Sequence, residues 1–345
     1  MKKKLALCFL VIIAFSFSLA QEDSSSGRDT AAFEDIHSPA EIMEILEKSA
    51  LAYTLTELPD SLSEIIQREK TVLNNNYYIY YDEDGSARLA NYQTDDSAVA
   101  LLNQGDIMFA ANHYDSAVVL YKQALGVDSN YFWTLTVIGH AYYFLGEFDS
   151  SKFYYETAIR KNFVDYNAHW FLADLLWKTG DTARALEEIT TAHLLNVNHL
   201  NIKMRLQELR NLSSSPWKMW SFEPRYDISR EGNKIIVKFD LEWLPYAIVK
   251  AAWKYEPGYC RQMAGEDYSE ERLYINEEIE ALNAWLTLKE NSPDDLFYRV
   301  NEILEDGFLY SFLYYEIYAP YSPLILLKLP REEFNLLIEY VNRYH

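Results

Sequence analysis

The 345-residue chain holds two cysteines, and only Cys260 lies beyond its first twenty residues. No internal disulfide can form in that remainder, and no thiolate cluster can hold a metal. A lone thiol of this kind reads as a small buried side chain. Basic residues are also scarce: 31 Lys and Arg stand against 52 Asp and Glu, a formal net charge of −21. That excess repels nucleic acid and anionic membrane surfaces, so no nucleic-acid partner is expected. Histidine is nearly missing from the last third, where His345 is the only one after His199. A Ser–His–acid or Cys–His set built within that region is disfavoured. The H-E-x-x-H, G-x-S-x-G and P-loop patterns do not occur, and no cofactor is implied.

Long apolar runs are limited to one, Leu5–Phe17, behind Lys2, Lys3 and Lys4 and ahead of Ser18-Leu19-Ala20. This pattern predicts a secretory signal peptide over 1–20, cleaved after Ala20. It is too short for a spanning helix, and Cys8 precedes most of the run, which argues against a lipid anchor. The expected mature chain is periplasmic or secreted, with no transmembrane segment.

Residues 21–37 are acidic, Ser-rich and aperiodic, and read as a disordered leader. A segment over 38–97 follows. Ser38-Pro39-Ala40-Glu41 predicts a capped helix start, and Ile42, Ile45, Leu46, Ala50 and Tyr53 recur at helical spacing. Leu62–Leu73 reads as a second helix. Tyr77–Tyr81 and Ala87–Tyr92 read as a hairpin about Asp84-Gly85.

From Ala98 the chain matches itself at a shift of 34. Gly105, Gly139 and Ala173 align; so do Asn112, Gly146 and Gly180; Ala117, Ser151 and Ala185; Tyr121, Tyr155 and Ile189; and Ala124, Ala158 and Ala192. Three blocks result: 98–131, 132–165 and 166–199. The pattern resembles the tetratricopeptide repeat family, carried in the middle block by Leu135, Ile138, Gly139, Tyr142, Ser151 and Tyr155. The family tryptophan is missing from the first aromatic slot, and Ser129, Phe163 and Val197 stand where proline is usual. The resemblance implies a helix pair per block. Gly139 and its equivalents would lie where the two helices approach most closely, and Gly146 and Gly180 would end the first helix in a left-handed conformation. Leu200–Leu212 continues as an amphipathic helix, expected to be a solvating cap, so repeats and cap span 98–212.

Residues 217–345 lack the repeat. Tyr226–Ser229 and Lys234–Phe239 predict a second hairpin. Helical patterns follow after Pro245, over Leu273–Leu288, over Leu296–Tyr318 and from Arg331 to Tyr344. Glu256-Pro257-Gly258-Tyr259-Cys260 reads as a tight corner between helices. The fold class expected is mainly α: a tetratricopeptide-type α-solenoid with flanking helical segments and two short β-hairpins.

Chemistry has few candidates. Glu270, Glu271, Glu277, Glu278 and Glu280 crowd one helix, and Asp294, Asp295, Glu302, Glu305 and Asp306 the next. Two carboxylates in a cleft could serve a glycosidase, but charge runs of this kind usually form solvated faces. His193 and His199 read as repeat-helix surface. The family resemblance implies instead that first helices line a concave face, which places there Leu102, Asp106, Phe109, Trp133, Thr136, His140, Tyr143, Asn167, Trp170, Asp174 and Trp177. Trp and Tyr are the side-chain types that dominate interface energetics. Asp106, His140 and Asp174 could fix a peptide backbone. The family's clamp for peptide carboxylates uses Lys, Asn and Arg here, so Asp106 and Asp174 favour a neutral or basic protein or peptide partner. The expected function is a non-enzymatic exported scaffold. An envelope carbohydrate-binding or carbohydrate-processing protein that uses Trp and Tyr platforms is the alternative.

Overall fold

The computed structural model describes residues 36–58, 70–73, 77–81, 87–264 and 275–345. The expected signal peptide, most of the leader, the start of the Leu62–Leu73 helix and the Asp84-Gly85 turn lie outside them. In chain order the elements are α1 (Pro39–Lys48), β1 (Ala52–Glu57), β2 (Tyr77–Tyr81), β3 (Ala87–Asn91), α2 (Asp96–Ala110), α3 (Tyr114–Val127), α4 (Phe132–Leu145), α5 (Phe148–Lys161), α6 (Tyr166–Thr179), α7 (Thr182–Leu195) and α8 (Leu200–Leu212). Then come β4 (Tyr226–Glu231), β5 (Lys234–Phe239), α9 (Leu244–Tyr255), α10 (Tyr259–Ala264), α11 (Ile275–Lys289), α12 (Asp295–Glu305), α13 (Leu309–Phe312), a π-helical stretch over Leu313–Tyr318, α14 (Leu324–Leu327) and α15 (Arg331–Tyr344). Among the described residues no helix is long and apolar enough to cross a membrane.

These elements divide into two compact units that do not follow the linear segments 38–97 and 217–345. The first takes the described residues before 69 together with Ser221–Leu313; the second takes Glu69–Trp220 and Tyr314–His345.

In the first unit the predicted capping box is present: Ser38 Oγ accepts from the Glu41 amide, and the Glu41 side chain accepts from the Ser38 amide. The helix does not reach Tyr53. It stops at Lys48, and Ala52–Glu57 pairs as a parallel strand with β5, Tyr53 opposite Ile235 and Leu55 opposite Val237. Tyr-Thr-Leu-Thr is the β-branched and aromatic composition that a strand favours, and tertiary pairing overrides the helical spacing. The sheet order is β1-β5-β4, with β4 and β5 antiparallel across Gly232-Asn233. Ile235, Val237 and Phe239 alternate into the core. Helix α9 is buried nearly all round, and Trp243 stacks on Trp285 of α11 at 5.3 Å. Gly258, with φ +82°, makes the expected corner before α10. The helix expected over Leu296–Tyr318 breaks at Gly307, where φ is +81°.

The second unit is built on α2–α7, three antiparallel pairs in the predicted register. The first helix of the middle pair ends at Gly146 with φ +79° and that of the last pair at Gly180 with φ +92°; Asn112 takes the same role at φ +62°. A Cβ on Gly139 would lie 2.8 Å from the Tyr155 ring, and one on Gly105 would enter the Tyr121 ring. In the last pair the equivalent positions hold Ala173 and Ile189, both buried, so an alanine there is matched with a narrower side chain than tyrosine.

Leu73, Tyr77 and Tyr92 meet the ends of the second helices. Lys70–Leu73 is not helical, contrary to the reading of Leu62–Leu73. Its backbone is held instead: the Leu73 amide donates to Asn196 Oδ1 at 3.1 Å, and Asn196 Nδ2 donates to the Leu73 carbonyl at 3.0 Å. Asn162 Nδ2 donates to the Tyr77 carbonyl at 2.9 Å, and the Tyr92 hydroxyl donates to Asp128 at 2.9 Å. Asp128, Asn162 and Asn196 are the C-caps of α3, α5 and α7, the same position in three successive repeats. The repeat thus supplies one polar anchor per step.

At the other end of the chain, α15 packs on α7. Its last carbonyls, which have no intrahelical partners, are met from residues 210–220. Arg210 donates to Val341 and Asn342, Lys218 Nζ to Arg343, the Trp220 indole to Tyr344, and the Lys218 amide to His345. His345 is buried with its Nε2 2.7 Å from Glu316 Oε1.

Candidate functional site

The carboxylate run on α11 is not a solvated face. Glu280 is fully buried; it accepts from Tyr259 at 2.8 Å, from the Trp253 indole at 2.5 Å and from the His37 amide at 2.8 Å. His37, expected in the disordered leader, is therefore held in place. Lys250 bridges Glu277 at 2.5 Å and Glu278 at 2.6 Å, and these charges hold the ammonium well above its usual range despite burial. Burial raises the Glu277 carboxyl, and burial together with Glu277 raises the Cys260 thiol, which makes it a poor nucleophile. These groups satisfy one another as a structural network. Among the described residues no three His, Cys, Asp or Glu side chains group to hold a metal.

The first helices of the repeats carry the stronger candidate. Phe109 of α2, His140 of α4 and Phe171 of α6 form one stack, with ring centroids 5.3 Å and 4.2 Å apart and planes within about 20°. Burial lowers His140 to about 4, so the ring is neutral at pH 7, and its Nδ1 lies within hydrogen-bond distance of the Tyr155 hydroxyl at 3.2 Å. Phe144 leans edge-on to Phe109 and His140 and stacks on Tyr114 at 5.1 Å. It remains 49% exposed, which makes it the most open ring of the group. Tyr143 lies beside Phe148, and Lys178 Nζ sits over both rings at 4.7 and 5.0 Å.

The eleven residues expected on this face divide. Phe109, His140 and Tyr143 lie in this aromatic surface. Trp133 is half-buried against the core of the first two pairs, and Trp170 against Phe171 and His199; Trp177 is half-buried against the last pair. Leu102, Thr136 and Asn167 are buried: Leu102 fills the core, and Thr136 donates to Asp165 at 2.6 Å. The polar trio is engaged internally. Asp106 accepts from Tyr121 at 2.7 Å, and Asp174 pairs with Arg205 at 2.6 Å, so only Asp106 leaves an exposed carboxylate without a cation beside it in these contacts. His193, expected at the surface, is buried, and its Nε2 meets the Tyr315 hydroxyl at 2.8 Å.

Tyr114, Phe144, Phe171 and Lys178 were not anticipated. The repeat register carries the signal for most of them: Phe144 aligns with Lys178, and Tyr114 with Phe148. One repeat uses a phenyl ring against Phe109 and Tyr114, and the next an ammonium over the equivalent pair, Tyr143 and Phe148.

With this geometry in hand, the family model of the tetratricopeptide repeat matches residues 136–192. The helix-pair stack is of the tetratricopeptide-repeat type. Three solved structures are similar to part of this chain. The first tetratricopeptide domain of Spaghetti (RPAP3), bound to the HSP90 peptide SRMEEVD, is 19% identical and covers 35% of this chain and 98% of its own, with a TM-score of 0.33. The Yersinia enterocolitica type III secretion chaperone SycD, in complex with a peptide of the translocator YopD, is 14% identical and covers 35% and 97%, with a TM-score of 0.32. The Sgt2 tetratricopeptide domain from Aspergillus fumigatus is 17% identical and covers 40% and 93%, with a TM-score of 0.34. A search of curated proteins finds no match.

Proposed function

We propose that this chain is a non-enzymatic interaction scaffold whose first-helix face captures a linear protein segment. The carrying observation is the Phe109–His140–Phe171 stack capped by the half-exposed Phe144, a rigid aromatic surface with its rings already in place. A preorganised surface loses little freedom when a partner docks. Asp174 is neutralised by Arg205, and Lys178 carries the opposite charge to Asp106, so a neutral segment with an apolar anchor suits the face. A basic residue would be favoured near Asp106 alone. Export of the chain rests on the basic, apolar and small-residue order of its first twenty residues, and fractionation of the producing cell tests it.

The scaffold reading is tested with a displayed library of linear peptides selected on the full chain. The expected binders lose about tenfold or more in affinity, roughly 1.4 kcal/mol, on Phe144→Ala, with the circular dichroism spectrum unchanged. Binders indifferent to Phe144→Ala and to Asp106→Asn, or no binders at all, refute it. Trp133 and Trp170 are poorer probes, because both support the packing.

A further inference from the structure

Helix α8 starts at Leu200, one full repeat length after α6 starts at Tyr166. It therefore stands where the first helix of a fourth repeat stands. Ile202, Leu206 and Leu209 face the stack. The exposed residues are Leu200, Asn201, Met204, Glu208, Asn211 and Leu212, which form a single stripe on the opposite side. The stripe is not the solvating surface that a terminal cap needs. Leu200 is 66% exposed, Met204 49% and Leu212 62%, and Met219, which accepts from Gln207, is 77% exposed.

The stripe is also symmetric in position about Leu206, and two of its three pairs are alike. Counted outward from Leu206, Met204 answers Glu208, Asn201 answers Asn211, and Leu200 answers Leu212. An antiparallel copy of the same helix, related by a twofold axis at Leu206, sets leucine on leucine and amide on amide. That is the self-complementarity an isologous contact requires, and a heterologous partner has no need of it. The one charged member, Glu208, is held at 2.7 Å by Arg205, a guanidinium that it shares with Asp174.

We propose that α8 is a self-association face through which two copies of this chain pair antiparallel. The four apolar side chains expose on the order of 500 Å² per copy, so pairing closes about 1,000 Å² in total, the lower edge of specific interfaces. The dimer is accordingly reversible and dissociates over the micromolar range.

Sedimentation equilibrium of the full chain from about 1 to about 200 μM tests this. The expected result is a monomer–dimer equilibrium that Leu200→Glu with Leu212→Glu weakens at least about tenfold, while the circular dichroism spectrum is retained because both positions are exposed. Register is tested separately with Cys8 and Cys260 replaced by serine. Leu200→Cys with Leu212→Cys links two copies on mild oxidation, whereas either single cysteine does not, because like positions lie about 18 Å apart across the axis. A monomer over the whole range, a dimer indifferent to the two glutamates, or dimers linked by one cysteine alone overturns the proposal.

Discussion

Replacing Gly139 with alanine adds one methyl group at the tightest point of the middle helix pair. The new Cβ lies 2.8 Å from two carbons of the Tyr155 ring and 3.2 Å from the Ser151 backbone oxygen. Tyr155 has nowhere to retreat: it is fully buried, its hydroxyl meets His140, and its ring borders Phe171. Overpacking of this kind costs about 1–3 kcal/mol, against which alanine regains about 1 kcal/mol of helix propensity over glycine. The net loss expected is about 0–2 kcal/mol, read as a lower urea midpoint of the repeat unit by far-UV circular dichroism. The third pair supplies the control, because Ala173 and Ile189 occupy the equivalent positions there. Tyr155→Ile alone should cost about 2–4 kcal/mol as a large-to-small change. The double variant Gly139→Ala with Tyr155→Ile should fall short of the sum by about 1–2 kcal/mol, since isoleucine leaves room for the methyl. Additivity within about 0.5 kcal/mol, or a Gly139→Ala variant more stable than the parent, would refute the argument that ring-on-glycine contact sets the helix spacing.

Two further outcomes follow from buried polar groups. Asn196→Ala leaves both the amide and the carbonyl of Leu73 unpaired, a loss of about 2–4 kcal/mol; hydrogen exchange should show the Leu73 amide deprotected, and unchanged protection would contradict the anchoring role. Asp165, fully buried at the cap of α6, is raised by burial from 3.8 to about 6. Its folded state holds the proton more tightly than the unfolded chain does, so its stabilising contribution is present below pH 3.8 and lost as pH rises through 6. Asp165→Asn keeps the acceptor for the cap and removes that loss, which is on the order of 3 kcal/mol at neutral pH. His140 and His193, lowered by burial to about 4 and about 3, run the other way: the unfolded chain takes up protons first, and their contribution is lost as pH falls below 6.5. The variant should therefore gain in urea midpoint at pH 7.5, gain nothing at pH 4 and decline more steeply in acid; a profile parallel to that of the parent would refute the assignment.

The repeats were legible because each signal is local and recurs. A glycine opposite a tyrosine ring, and a left-handed residue seven positions later, leave their mark again at the next repeat. The strand Ala52–Glu57 was not legible, because its partner Lys234–Phe239 lies on the far side of the whole repeat stack in sequence, and the segment's apolar spacing also suits a helix. Burial of Glu278 and Glu280 was hidden for a similar reason: a run of glutamates reads as solvated until α9 brings up Lys250, Trp253 and Tyr246. Of the face residues, helical periodicity picks out those pointing away from the helix pair's own axis. It cannot tell that Leu102, Thr136 and Asn167 are covered by neighbouring structure, nor that Asp174 meets an arginine of α8. The anchors Asp128, Asn162 and Asn196 were legible in principle, since they obey the same shift, but polar residues at helix ends ordinarily signal only a cap.

Those anchors bear on whether the first-helix face is open. The aromatic strands Tyr77–Tyr81 and Ala87–Asn91, with Tyr92, need a surface, and the concave face was one candidate for it. The structure sends them elsewhere. Their contacts run to the C-caps of the second helices, and Tyr92 stacks on Tyr131 at 5.2 Å and meets Phe132 edge-on. Both of those residues precede or begin α4, away from the Phe109–His140–Phe171 stack. The C-terminal helix α15 likewise covers α7, a second helix. The second unit therefore protects its flank and its outer layer with its own chain while Phe144, in the first-helix layer, stays half exposed. A ring that has several aromatic neighbours within reach and is still left half in water carries an unrecovered hydrophobic gain. That gain is available to a docking segment, which is why the effect of Phe144→Ala on binding, rather than on folding, decides the proposed function.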